Sequence, residues 1–111
     1  MPSLLGVANA FDIDAVKRKL EADGGGYVIV HKSPGLELAV YVLVAPEPDR
    51  QHPHENDEVY VVLEGNGALD VEGERVELRE RHAVFVPAGA EHRFVGYEHL
   101  SVLVIFERRP R

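Results

Sequence analysis

From Tyr27 to Phe106 apolar and polar residues alternate with a period near two, the repeat of an extended chain whose side chains point to opposite faces. β-Branched and aromatic residues crowd these stretches, as half-buried strands require. The pattern predicts strands at 27–31, 36–45, 51–54, 57–63, 67–71, 75–78, 83–86, 91–95 and 100–107. Turn-forming clusters separate them: Ser33-Pro34-Gly35, Pro46 to Asp49, Gly65-Asn66-Gly67, Glu72-Gly73-Glu74 and Pro87-Ala88-Gly89. Ahead of this region the period changes. Ile13, Val16 and Leu20 share one face of a short helix, with Asp12 or Asp14 as its cap and Gly24-Gly25-Gly26 at its end. A helix this short must be held by packing. Closely spaced strands with no helices between them predict an all-β sandwich or barrel rather than βαβ units.

Two of the expected strands are apolar on both faces. Leu100, Val102, Val104 and Phe106 line one side of the last strand, with Leu103 and Ile105 on the other. Along 38–44, Ala39, Tyr41 and Leu43 oppose a leucine-valine face in the same way. One face of each therefore needs a second covering, from the helix, another sheet or a second subunit. A homodimer is the expectation.

The whole chain, residues 1–111, reads as a single domain, since it shows no linker and no strong repeat. The net charge of −7 argues against nucleic acid, which needs clustered Lys and Arg. The basic runs Lys17-Arg18-Lys19 and Arg108-Arg109 fit a solvated helix face and a charged tail. No cysteine is present, which removes thiolate ligands, Cys nucleophiles and disulfides. The first residues lack the pattern of a signal peptide, and runs such as Leu38 to Ala45 are too short to span a bilayer. A cytoplasmic protein with no membrane partner is expected.

With thiolates absent, His and carboxylate are the strong ligands available, and they cluster. In His52-Pro53-His54-Glu55-Asn56-Asp57-Glu58 two histidines at i and i+2 of an extended segment point the same way. Glu58 lies just beyond them, and His92 starts a later strand, aimed by the turn Pro87-Ala88-Gly89. Imidazole and carboxylate together suit zinc, iron, manganese, nickel or copper. Asp57 and Arg93 should point away from any site that Glu58 and His92 face, and His31, His82 and His99 fit ordinary surface positions.

These two segments resemble the two sequence motifs of the cupin superfamily. His52-x-His54, then Glu58, then Gly65 has the spacing of the first, and Pro87-x-Gly89-x-x-His92 the core of the second. The resemblance implies a small antiparallel double-stranded β-helix, or jelly-roll barrel, with one short N-terminal helix and the site within about 50–95. It implies His52, His54, Glu58 and His92 as ligands of one divalent transition metal. By alternation Tyr60 and Phe94 become candidates for the pocket wall. Three places depart from the motifs: Pro46 and Arg81 stand where each usually opens with glycine, and Gly96 where the second closes with asparagine.

Three histidines and a carboxylate leave a coordination position open, as a catalytic metal requires. The expected function is a metal-dependent oxygenase, isomerase or lyase acting on a small oxygenated metabolite, with Glu58 as a candidate base. The alternative is a non-catalytic binding protein with a structural metal.

Overall fold

The computed structural model describes residues 10–49 and 53–108. It contains a helix, α1 (Ile13–Ala22), and eight strands: β1 (Gly26–Lys32), β2 (Leu36–Val44), β3 (Glu58–Gly65), β4 (Gly67–Val71), β5 (Glu74–Leu78), β6 (Ala83–Val86), β7 (His92–Val95) and β8 (His99–Glu107). The strands form two antiparallel sheets, a large one in the order β1-β2-β8-β3-β6 and a small one in the order β5-β4-β7. This is the jelly-roll arrangement. The segment expected as a strand at 51–54 does not form one over Pro53 and His54, and its first half, including His52, lies outside the described residues. Pro53 has no N–H for a ladder. The local backbone is tied instead by the Gly89 N–H, which donates to the His54 carbonyl at 2.6 Å.

The doubly apolar strands sort their faces between two cores. Ala39 and Leu43 of β2, Tyr60 and Val62 of β3, and Leu100, Val102 and Val104 of β8 point inward and meet Leu69, Leu78 and Phe94 from the other strands. On the outer side Val40 and Val42 pack under Leu20 of α1, with Ile13 and Val16 beside them. Asp12 caps the helix, its Oδ1 accepting the Ala15 N–H at 2.9 Å. Burying a leucine such as Leu20 contributes about 1.5–3 kcal/mol, more than the cap, so packing holds this helix in place.

The helix covers only part of the outer face. Phe85 pairs across the sheet with Val59, Val59 with Ile105, and Ile105 with Leu38, giving one apolar row along that face. Phe85 is 56% exposed at its end.

Candidate metal centre

Strand register decides what enters the barrel. Glu58 begins β3 opposite Phe106 of β8, so Glu58, Tyr60 and Val62 all face inward, where each is buried. His92 opens β7 after the Pro87–Gly89 turn and is buried, while the adjacent Arg93 is exposed. His54 reaches the same place from the loop before β3, its ring edge-on to Phe106 at 5.0 Å and 5.7 Å from the His92 ring. The two segments are joined by more than the His54 carbonyl. Asp57 Oδ1 accepts the Ala88 N–H at 2.8 Å, and the Asp57 carbonyl accepts the Glu107 N–H at 3.0 Å. Asp57 thus turns away from the site and clamps its two halves together.

Glu58 Oε1 lies 2.9 Å from His92 Nε2 and 3.9 Å from His54 Nε2. One donor atom from each of the three residues falls within 4.8 Å of the others. His92 Nδ1 is 2.9 Å from the Ala90 carbonyl, which can only accept, so this nitrogen carries the proton and Nε2 is turned to Glu58. The Tyr60 hydroxyl also sits 3.0 Å from Nε2. Burial pushes the His92 imidazole down, but the Glu58 carboxylate and the Ala90 carbonyl outweigh it and hold the group above its ordinary value. Both of those polar contacts favour positive charge at this point.

The donor set fits a metal ion. Glu58 Oε1 is buried and receives no hydrogen bond from the described residues, a costly state for a carboxylate unless a cation compensates it. Atoms each about 2.0–2.2 Å from one ion lie at most about 4.4 Å apart, and the two separations to Glu58 satisfy that limit. His54 is the exposed member, with 37% of its side chain accessible against 2% for Glu58. The nitrogen and oxygen donors suit several first-row metals, as expected, and choose none.

His54 and Glu58 also line a pocket of about 350 Å3, together with Tyr27, Glu37, Tyr41, Val104 and Phe106. Tyr60 and Phe94, expected on a pocket wall, are fully buried in the core, with Phe94 edge-on to Tyr60 at 4.8 Å. Sequence reasoning missed two features here. Tyr27 and Glu37 are far from either motif and reach the pocket only because β1 and β2 pair beside β8. Asp49, in a loop with no motif signal, is buried; its carboxylate accepts the Phe94 N–H at 2.8 Å and the Tyr41 hydroxyl at 3.0 Å. Of the remaining histidines, His31 packs near Phe11 at 5.6 Å and His99 pairs with Glu21 of α1 at 2.8 Å.

The chain belongs to the cupin family. The cupin domain matches residues 40–106, which carry both halves of the site. It is 36% identical over 98 residues to an uncharacterised protein of Streptomyces coelicolor, covering 87% of this chain and 93% of that one. It is 33% identical over 93 residues to an acireductone dioxygenase of Leishmania major, covering 77% of this chain but 27% of the enzyme. Among solved structures it is similar to TT1209 from Thermus thermophilus, with a TM-score of 0.78, 27% identity, and 93% and 100% of the two chains covered.

Proposed function

We propose that this protein is a metal-dependent cupin enzyme of the oxygenase type, acting on a small oxygenated molecule held in the pocket beside His54. The observation that carries the reading is the buried carboxylate of Glu58, whose Oε1 has no hydrogen-bond donor among the described residues, grouped with two imidazoles beside a pocket. Similarity to acireductone dioxygenase over the cupin region supports the oxygenase class. In this reading His54, Glu58 and His92 hold the ion, with His52 as a fourth ligand. A bound divalent ion would supply Lewis acidity and, for a redox-active metal, a place for dioxygen.

The protein's own residues do the rest. Ala90 fixes the His92 tautomer, which leaves the Nε2 lone pair directed toward Glu58, to bind once the Tyr60 hydroxyl gives way. Phe106 and Val104 exclude water from one side of the pocket. Glu58 is the candidate base of this reading only where it swings off the ion, and is otherwise a ligand. The outer apolar row ending at Phe85 is the face we assign to a homodimer, which sedimentation at increasing concentration tests.

Elemental analysis of protein purified without chelators, followed by oxygen uptake on acireductone by the iron-loaded form, tests the enzyme reading. Stoichiometric metal with uptake above the chelator-treated control is expected. Metal and ligand binding without turnover would instead identify a binding protein, and absence of metal would remove the metal from the reading.

A further inference from the structure

The part of the pocket away from His54 and Glu58 has a chemistry of its own. Tyr27 and Tyr41 are register partners across β1 and β2 and meet edge-on at 5.5 Å. The Tyr27 hydroxyl donates to Glu37 Oε2 at 3.4 Å, and the Tyr41 hydroxyl is committed to Asp49. Glu37 is half-buried, and its second oxygen has no hydrogen-bond partner among the described residues. Burial and the Glu37 charge push the Tyr27 phenol up to about 12, which keeps that ring neutral at physiological pH. No Lys or Arg lines the pocket among the described residues. Lys32, opposite Glu37 in the β1–β2 register, is exposed and forms no ion pair with it.

We propose that Glu37 is the specificity-determining residue of this pocket, which selects small molecules whose end remote from the metal bears a hydroxyl or ammonium donor and rejects those bearing a carboxylate or phosphate there. This deepens the function proposed above and rests on the same pocket being the functional one. At the end remote from the metal site, Glu37 has no Lys or Arg beside it in the pocket lining among the described residues, so an acidic substituent there faces like charge. A donor finds the unused Glu37 oxygen, while the apolar body of the ligand lies against Tyr27, Tyr41, Val104 and Phe106, which β1, β2 and β8 supply from one sheet. A phosphorylated sugar or a dicarboxylic acid is therefore the wrong class of substrate.

The experiment uses the full chain at low ionic strength, with and without one equivalent of zinc, and three probes that share a vicinal diol: catechol, 3,4-dihydroxybenzylamine and 3,4-dihydroxybenzoate. Binding is read from the NMR resonances of Tyr27, Tyr41 and Phe106. The amine should bind at least tenfold more tightly than the benzoate, with catechol between them. Glu37→Gln should shrink that gap below threefold, Glu37→Lys should reverse it, and Glu37→Asp, which keeps the charge, should keep the order. The proposal is overturned if the benzoate binds as tightly as the amine, if the order survives unchanged in Glu37→Gln, or if no probe moves these resonances in either state. Zinc content of the same samples judges the metal separately. A chain that holds no zinc yet sorts the probes by charge loses the metal reading and keeps this one, and a chain that holds zinc without sorting them does the reverse.

Discussion

Glu58 and His92, brought from opposite halves of the cupin region, face each other at 2.9 Å inside the barrel, and the buried Glu58 Oε1 receives no hydrogen bond from the described residues. A carboxylate so placed destabilises the metal-free fold more than an amide would, because the amide carries no charge to desolvate. In chelator, Glu58→Gln should therefore melt at or above the temperature of the parent chain. In zinc the order should invert. Free zinc at 100 times its dissociation constant stabilises by about 2.7 kcal/mol, which for a domain near this size is a rise of about 10 °C or more. His92→Ala should lose that rise entirely. Calorimetry of the three proteins in zinc and in chelator checks this, and equal melting temperatures for the parent chain in both would sink it.

Asp49 ties β7 to β2 by taking both the Phe94 N–H and the Tyr41 hydroxyl. Hydrogen bonds to a buried charge contribute about 1.5–3 kcal/mol each, so Asp49→Ala should cost at least about 2 kcal/mol in urea unfolding. Tyr41 carries a second signature. Burial, then the Asp49 charge and its hydrogen bond, push its phenol well above the ordinary range. A group raised in the folded state stabilises the fold below its unfolded value, about 10 for tyrosine, and loses that contribution as pH climbs toward the folded value. The urea midpoint of the parent chain should accordingly fall above about pH 10, and Tyr41→Phe should flatten the fall. Identical alkaline profiles for the two would contradict the assignment.

Gly65 closes the first motif for a backbone reason. Its φ is +87°, and a Cβ there would lie 2.1 Å from the His99 carbonyl oxygen across the β3–β8 ladder. Gly65→Ala must both strain the backbone and push the two strands apart, so a loss of more than about 2 kcal/mol is expected. Arg81 gives the opposite case, standing where the second motif usually has glycine, with φ +68°. Left-handed backbone costs an ordinary residue about 1–2 kcal/mol, part of which glycine returns through its freer unfolded chain. Arg81→Gly should be neutral or stabilising by up to about 1 kcal/mol. Denaturant melts of the two variants decide the matter, and a marked loss in Arg81→Gly would show that the arginine side chain compensates for its backbone.

Tyr60 and Phe94 separate polar from apolar contributions behind the site. Phe94 is 1% exposed and edge-on to both Tyr60 and Tyr41, so Phe94→Ala should cost about 3–5 kcal/mol. Tyr60→Phe removes a hydroxyl near His92 and should cost about 1 kcal/mol while leaving the fold intact. Thermal melts read both. A larger loss in Tyr60→Phe than in Phe94→Ala would mean that the polar network, not the packed rings, holds the barrel at this depth.

Most strands were legible because period-two alternation reports directly on burial, and it placed eight of them within a few residues of where they form. It failed over Pro53 and His54, where the cross-chain bond from Gly89 shapes the backbone instead of a ladder. Gly96 was marked as a departure from the motif, yet its φ of +66° is the conformation that asparagine and glycine both accept. The candidate ligands His52, His54, Glu58 and His92 came from the likeness of two spaced segments to the cupin motifs; the structure brings His54, Glu58 and His92 together, and His52 lies outside the described residues. The remote side of the pocket was not legible, since Tyr27 and Glu37 gain their meaning only from sheet order, which local pattern does not encode.

The Gly89 N–H bond to the His54 carbonyl, with Asp57 clamping Ala88 beside it, has a kinetic consequence. These bonds join segments far apart in sequence, and contacts of that kind close late in folding. The candidate metal cluster is thus expected to form as a finishing step, unlike metal sites that organise an unfolded chain. Added zinc should leave the refolding rate unchanged and slow unfolding alone. A bound ion would then act as a latch on a structure already made, so that the lifetime of the native state, rather than the route to it, depends on the supply of metal.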